Sequence, residues 1–256
     1  MRELKKNQIA NTGIEISELG LGTVKFGRNT GVKYPAAFTI PDHQVLRALL
    51  DKAKALGINY LDTAPAYGSS EATLGELLQN DNRDWVISSK VGEYYTGDKS
   101  EFDFRAETTT RSVEASLKKL RRETLDIVYV HSDGNDQEVI EHTAVLETLS
   151  QLKQRGLIRA IGFSGKVANQ TALAIPYCDV FMIALNETDQ SQVSLIQQCR
   201  ANNKGVVIKK ALTSGHSTNP ALALRYVNQF AGVTSTIVGT ISAAHLEDNV
   251  QAITNV

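Results

Sequence analysis

YLDTAPAYGSSEATLGELL, residues 60 to 78, runs from a short apolar strand through a small-residue turn into a polar helix. Asp62 stands where the strand ends and Tyr67 follows in the turn. A strand that feeds a helix is half of a βαβ unit, so the fold depends on how often the pattern recurs.

It recurs along the chain. ELGLGT (18–23), INYLDT (58–63), WVISSK (85–90), LDIVYVH (125–131), IRAIGFS (158–164), DVFMIAL (179–185), GVVIKKA (205–211) and STIVGT (235–240) read as strands. Most are near-continuous apolar runs, as expected of a parallel sheet covered on both sides. Between them lie stretches such as HQVLRALLDKAKALG (43–57), TTTRSVEASLKKLRRE (108–123) and HTAVLETLSQLKQRG (142–156), with apolar residues at helical spacing. Gly57 and Gly156 sit where helix C-terminal caps belong. Eight alternations predict an α/β fold, a (β/α)8 barrel, over residues 1–256 as one domain. LKKNQIANTGIEISELG, ahead of the first barrel strand, predicts a hairpin turning at Asn11, Thr12 and Gly13 that closes the barrel bottom. Intervals 24–41 and 91–106 follow strands and are too long for simple connections, which places them on the rim where barrel enzymes build their sites.

Composition narrows the function. The chain is 42% apolar and 21% charged, with a formal net charge of −1. That balance gives no general attraction to nucleic acid or anionic membrane. The N-terminus lacks the apolar core of a signal peptide, and no run approaches a membrane span, so a cytoplasmic location is expected. The final helix pattern stops at Val256, from which a wide substrate pocket is expected. Cys178 and Cys199 lack metal-ligand spacing and read as reduced thiols. Histidines 43, 131, 142, 216 and 245 show no paired ligand spacing, which argues against a metal-dependent hydrolase.

In a parallel barrel the C-terminal ends of the strands share one mouth. Asp62, Lys90 and His131 end three successive strands, and Tyr67 lies just beyond Asp62. Each alone has an ordinary reading as a cap, a packing residue or a surface charge; together they suit proton donation to a carbonyl oxygen. A cation beside a phenol lowers its pKa, so Lys90 is expected to bring Tyr67 closer to neutrality. Asp62 would keep the lysine charged, and His131 would orient the carbonyl.

The segments GINYLDTAPAYGSSEATLGELL, WVISSKVG, SLKKLRRETLDIVYVH and GLIRAIGFSG resemble the aldo-keto reductase superfamily, and the resemblance covers nearly the whole chain. It implies that Asp62, Tyr67, Lys90 and His131 form a catalytic tetrad. It also implies an extended NADP(H), or else NAD(H), held without a G-x-G-x-x-G fingerprint, which this chain lacks. By the same likeness Gly22, Thr23, Ser164, Lys209, Lys210, Leu212, Ser214, Gly239, Thr240, Ser242, His245, Asp248 and Asn249 fall at cofactor positions. The pattern departs from the family at three places. Ser164 is followed by Gly165 where an asparagine is usual, Met182 stands where a glutamine is expected, and Lys209 replaces an aromatic. Lysine or arginine for a 2′-phosphate is missing near His245. The implied partner is a small-molecule carbonyl substrate, with no nucleic acid and no membrane, and the oligomeric state is open and compatible with a monomer. A nicotinamide-binding regulatory subunit is the alternative. Tyr34, Phe38, Tyr94, Tyr95 and Phe102 are candidates for an apolar pocket lining.

Overall fold

The eight apolar runs close into a ring. The computed structural model describes residues 2–81, 83–96 and 99–255. Ahead of the ring, β1 (Lys6–Ile9) and β2 (Ile14–Ser17) form an antiparallel hairpin. The barrel strands are β3 (Leu19–Gly22), β4 (Tyr60–Asp62), β5 (Val86–Val91), β8 (Leu125–His131), β9 (Ile158–Ser164), β10 (Val180–Ala184), β11 (Gly205–Lys209) and β12 (Ser235–Val238). They pair in parallel in that order, and β12 returns to β3. A second hairpin, β6 (Glu93–Thr96) with β7 (Lys99–Phe102), rises from the rim.

The helices are α1 (His43–Ala55), α2 (Ser70–Leu77), α3 (Ala106–Leu120), α4 (Asp136–His142), α5 (Val145–Gln154), α6 (Ala168–Thr171), α7 (Val193–Ala201), α8 (Pro220–Asn228) and α9 (Ala243–Thr254). Asp42 caps α1 by accepting a hydrogen bond from the Val45 amide at 2.9 Å. Asn219 and Ser242 do the same for α8 and α9. Gly57 and Gly156 take positive φ just beyond α1 and α5, as the capping pattern predicts.

Strand alternation sorts the side chains into two cores. Outward residues such as Leu21, Leu61, Val128, Phe163, Ile183 and Ile208 pack against the helices. Inward residues Tyr60, Ile127, Tyr129, Ala160, Val180, Met182 and Val207 fill the barrel together with Ile9, Ile14 and Ile16 of the hairpin. The hairpin is the bottom plug that the sequence predicts, and Asn59 ties it down by accepting from Ser17 N at 2.7 Å and donating to Glu15 O at 2.9 Å. Two large phenols fit inside because a neighbour is small: a Cβ at Gly162 would stand 2.2 Å from the Tyr129 ring.

Three segments differ from the sequence reading. The helix expected over 142–156 breaks at Thr143, which is extended (φ −121°, ψ 161°), leaving α4 and α5 on either side. The threonine hydroxyl donates to Val139 O at 2.6 Å and stops α4 there. Interval 91–106 is not an open loop but contains β6 and β7, with residues 97 and 98 outside the described region. The strand expected over 205–211 ends at Lys209, because Lys210 turns to φ +61°.

Candidate active site

Alternation also decides which residues face the mouth. Two positions beyond the inward Tyr60, Tyr129, Met182 and Val207 stand Asp62, His131, Ala184 and Lys209. On β5, the inward Ser88 is followed by Lys90; on β9, Gly162 is followed by Ser164.

Lys90 is the centre of a buried polar chain. Its Nζ donates to Asp62 Oδ1 at 2.7 Å and to Thr63 O at 2.8 Å. Ser88 Oγ donates to the same Asp62 oxygen at 2.7 Å, and accepts from Tyr60 Oη at 3.0 Å. Tyr60 Oη lies 3.2 Å from Tyr129 Oη. With Lys90 only 2% exposed and Asp62 3%, neither charge has water to stabilise it, so each depends on the other. Thr23 locks the Asp62 backbone: its amide and its hydroxyl both donate to Asp62 O at 2.9 Å.

Tyr67 is delivered by a single 3₁₀ turn, Pro65–Tyr67, opened by a proline and braced by Arg28 Nη1 donating to Ala66 O at 3.0 Å. Lys90 Nζ lies 4.8 Å from the centroid of its ring. The electrostatics reverse the sequence expectation. Burial, then the Asp62 and Glu93 carboxylates, push the phenol well above its ordinary pKa, with Arg28 opposing. The Lys90 charge is matched by Asp62 at 2.7 Å, and Arg28 offsets only part of the upward push. Tyr67 therefore keeps its proton at neutral pH, the state a donor requires.

His131 has a partner that sequence reading missed. Its Nδ1 lies 2.7 Å from Glu93 Oε2, off the line of a directed hydrogen bond, a contact that becomes an ion pair when the imidazole is protonated. Ser100 Oγ donates to the other Glu93 oxygen at 2.6 Å. Burial lowers the imidazole pKa, and Lys90 and Lys209 push the same way, while Glu93 pulls up. For Glu93 burial works upward, but His131, Ser100 and Arg28 outweigh it and bring the carboxyl down to about 2. As pH falls, then, imidazole takes the proton and the carboxylate stays ionised. Only the β6–β7 hairpin brings Glu93 here, and a lone glutamate two residues past a strand carries no sequence signal of its own.

Across the mouth, Lys209 Nζ donates to Ser164 Oγ at 2.8 Å and approaches Gly165 O at 3.4 Å. Burial first, then Lys210, Lys90 and Lys166, push it down to about 7 against Asp136. Asp136 cannot turn to it. Buried, it accepts from Lys166 N at 2.7 Å, Val167 N at 2.9 Å, Thr171 Oγ1 at 2.5 Å and Ser132 Oγ. That turn explains Gly165, since a Cβ there would meet Thr171 Oγ1 at 2.0 Å and Asp136 Oδ2 at 2.6 Å. Met182 packs in the inner core below the mouth, and the strand ends instead on Ala184.

The remaining predicted positions gather on the rim beyond β11 and β12. Lys210, Thr213 and Ser214 all take positive φ, a local strain that collects at ligand loops. Leu212 packs against the outer core. Gly22 ends β3 in register with Asp62, and Gly239 and Thr240 follow β12. Ser242 Oγ accepts from His245 N at 3.3 Å; His245 and Asp248 are exposed on α9 and Asn249 is buried. Segment 24–41 folds over this side: His216 Nε2 lies 3.1 Å from Lys33 O, and a Cβ on Gly239 would be 3.0 Å from Tyr34 Oη. Tyr34 and Phe38 meet edge to face at 5.7 Å, with Lys25 Nζ 4.1 Å from the Tyr34 centroid. The other predicted lining aromatics are engaged elsewhere. Tyr94 Oη donates to Thr108 O at 3.3 Å, Tyr95 stacks on Arg28 at 3.3 Å, and Phe102 stacks on Phe104 at 6.3 Å. Among the described residues, Lys25, Lys33, Lys166, Lys209 and Lys210 enter no ion pair. Unmatched cations beside a loop with left-handed backbone fit a dinucleotide, whose phosphates are anionic.

An inward Asp–Lys pair, a phenol and an imidazole at the mouth of a closed parallel barrel define a class of barrel oxidoreductase that works without a Rossmann domain. The chain belongs to the aldo/keto reductase family, whose model matches residues 18–219, and it is an NAD(P)-dependent oxidoreductase of that type. It is 42% identical to a Pseudomonas aeruginosa protein assigned to the aldo-keto reductases, with a TM-score of 0.90 over 98% of this chain and 94% of that one. L-galactose dehydrogenase from Arabidopsis thaliana is 27% identical over 99% of this chain and 89% of its own length. The NADH-specific methylglyoxal reductase of Escherichia coli is 28% identical, over 83% and 68%.

Proposed function

We propose that the protein reduces the carbonyl group of a small aldehyde or ketone to the alcohol, with Tyr67 giving the proton. The observation that carries this reading is the buried Lys90–Asp62 pair set under the Tyr67 ring. A bound nicotinamide would supply the hydride. Gly22, Ser164, the 210–214 loop, Gly239, Thr240, Ser242, His245, Asp248 and Asn249 would hold it, with Thr23 acting through the Asp62 backbone.

Tyr67 holds its proton until negative charge develops on the substrate oxygen. At that point Lys90, fixed by Asp62 and Thr63 O, favours the phenolate that remains. In its protonated form His131 would donate from Nε2 toward the same oxygen while Nδ1 faces Glu93. NADP(H) is the first cofactor to assay, from the family as a whole; NAD(H) stands beside it, because the segment from Gly239 to Asp248 contains no lysine or arginine to hold a 2′-phosphate.

The deciding experiment follows consumption of NADPH and of NADH with a reactive aromatic aldehyde, comparing wild type with Tyr67→Phe. Turnover falling by at least about a hundredfold, with cofactor affinity retained, is expected. Near-normal turnover in the mutant would remove Tyr67 as the acid. Binding of cofactor with no turnover by wild type would favour the regulatory alternative.

A further inference from the structure

We propose that Lys209 is an anion anchor inside the reaction chamber, and that the preferred carbonyl substrates carry a carboxylate that pairs with it. This rests on the reductase reading for the identity of the substrate, but the anchor itself can be tested without turnover.

The position comes from topology. Lys209 ends β11 on the inward row that contains Val207, and β11 stands four strands from β5 in either direction around the ring. Lys209 and Lys90 thus occupy opposite walls of the mouth. Their surroundings differ in one respect: Lys90 has Asp62 at 2.7 Å, whereas Lys209 has only the neutral oxygens of Ser164 and Gly165. A half-buried ammonium is stabilised far better by an oxyanion than by a hydroxyl and a carbonyl.

Among the described residues, the one carboxylate that acts on Lys209 is Asp136, and it is not free to fill that place. The charges that face Lys209 are Lys90 from β5, His131 from β8, Lys166 from the turn after β9, Lys210 from its own loop and Asp136 from α4. All but Asp136 are basic, and Asp136 already accepts from two amides and two hydroxyls. Lys209 differs in this from Lys210, which is exposed on the rim loop at φ +61° and suits a cofactor phosphate. A substrate whose carbonyl oxygen meets Tyr67 and His131 would therefore extend its far end toward Lys209. The amine sits near neutrality when empty, at about 7, so a bound carboxylate would draw a proton onto it.

Calorimetry of the full-length protein with benzoate and its neutral counterpart benzamide tests the anchor directly. Wild type is expected to bind benzoate at least about tenfold more tightly than benzamide, the ratio given by one charge-assisted hydrogen bond of ordinary strength. Near pH 7.5 that binding should take up a proton, seen as heats that depend on the ionisation enthalpy of the buffer. Lys209→Met should bring the ratio close to one and abolish the uptake, and Lys209→Arg should keep the ratio. If Lys209→Met does not fold, Lys209→Gln makes the same comparison. Equal binding of the two probes, binding of neither, or a ratio that survives loss of the lysine overturns the proposal. So does a tenfold loss of NADPH affinity in Lys209→Met with benzoate binding unchanged, because the lysine would then serve the cofactor's phosphates. In a parallel assay, 4-carboxybenzaldehyde should exceed 4-methylbenzaldehyde in kcat/KM in wild type only. Absence of turnover with both would count against the reductase reading, while the calorimetry would still decide the anchor.

Discussion

At the scale of single residues, the site is a set of charges that control one another's protons. Glu93 acts in two directions: it supports a proton on His131, and it raises the cost of ionising Tyr67. Glu93→Gln should therefore lower the His131 pKa further and also lower that of Tyr67, both visible by NMR titration of the ring resonances. An unmoved imidazole would mean that the 2.7 Å contact is not felt electrostatically. Asp62, Lys90 and His131, which the sequence reading singled out, share a property: each stands at the end of a strand or one residue before it, and strand ends are legible. Glu93 was not legible, because its place depends on a hairpin and not on a strand end. The direction of the Tyr67 shift was not legible either, since it depends on how completely Asp62 matches Lys90 and on how little water reaches the ring.

At the scale of elements, the alternation of each strand carries chemistry and packing on one row. β8 illustrates this, with Ile127 and Tyr129 in the inner core and His131 above them. The row is crowded, so Gly162→Ala should force the Tyr129 ring aside and destabilise the barrel by about 1–3 kcal/mol. Thermal melting should report this as a drop of about 2–4 °C per kcal/mol for a chain of this size. A melting point unchanged from wild type would mean that the ring relocates freely. Strand positions were readable because apolar runs and caps are local signals. The β6–β7 hairpin was not, since β6 is only part-buried and β7 is exposed, and neither was the break at Thr143, where one side-chain hydrogen bond interrupts an otherwise helical pattern.

At the scale of the whole molecule, stability depends in part on ionic contacts far from the mouth. Asp81, between α2 and β5, accepts from Arg83 Nε at 2.7 Å and from Trp85 Nε1 at 3.0 Å. Burial works against its charge, but these bonds outweigh burial and hold the carboxyl well below the usual range. A depressed folded-state pKa gives stability that is present above the unfolded value of about 3.9 and lost as pH falls through the folded one. Asp81→Asn should accordingly lower the melting temperature at pH 7, and the gap from wild type should narrow toward pH 3. A gap independent of pH would assign the loss to packing. The sequence alone determined the number and order of the barrel strands, the hairpin plug and the positions of Asp62, Lys90 and His131 at or next to strand ends, because periodicity and capping are written within a few residues of each site. Only the tertiary structure decided which charges are matched. Asp62 pairs with Lys90 from the next strand, Glu93 reaches His131 from a hairpin, and Asp136 is drawn away from Lys209 by the turn after β9. Burial and pairing depend on groups distant in the chain, and electrostatic energy is set by the distance between those groups and by the water that barrel closure removes.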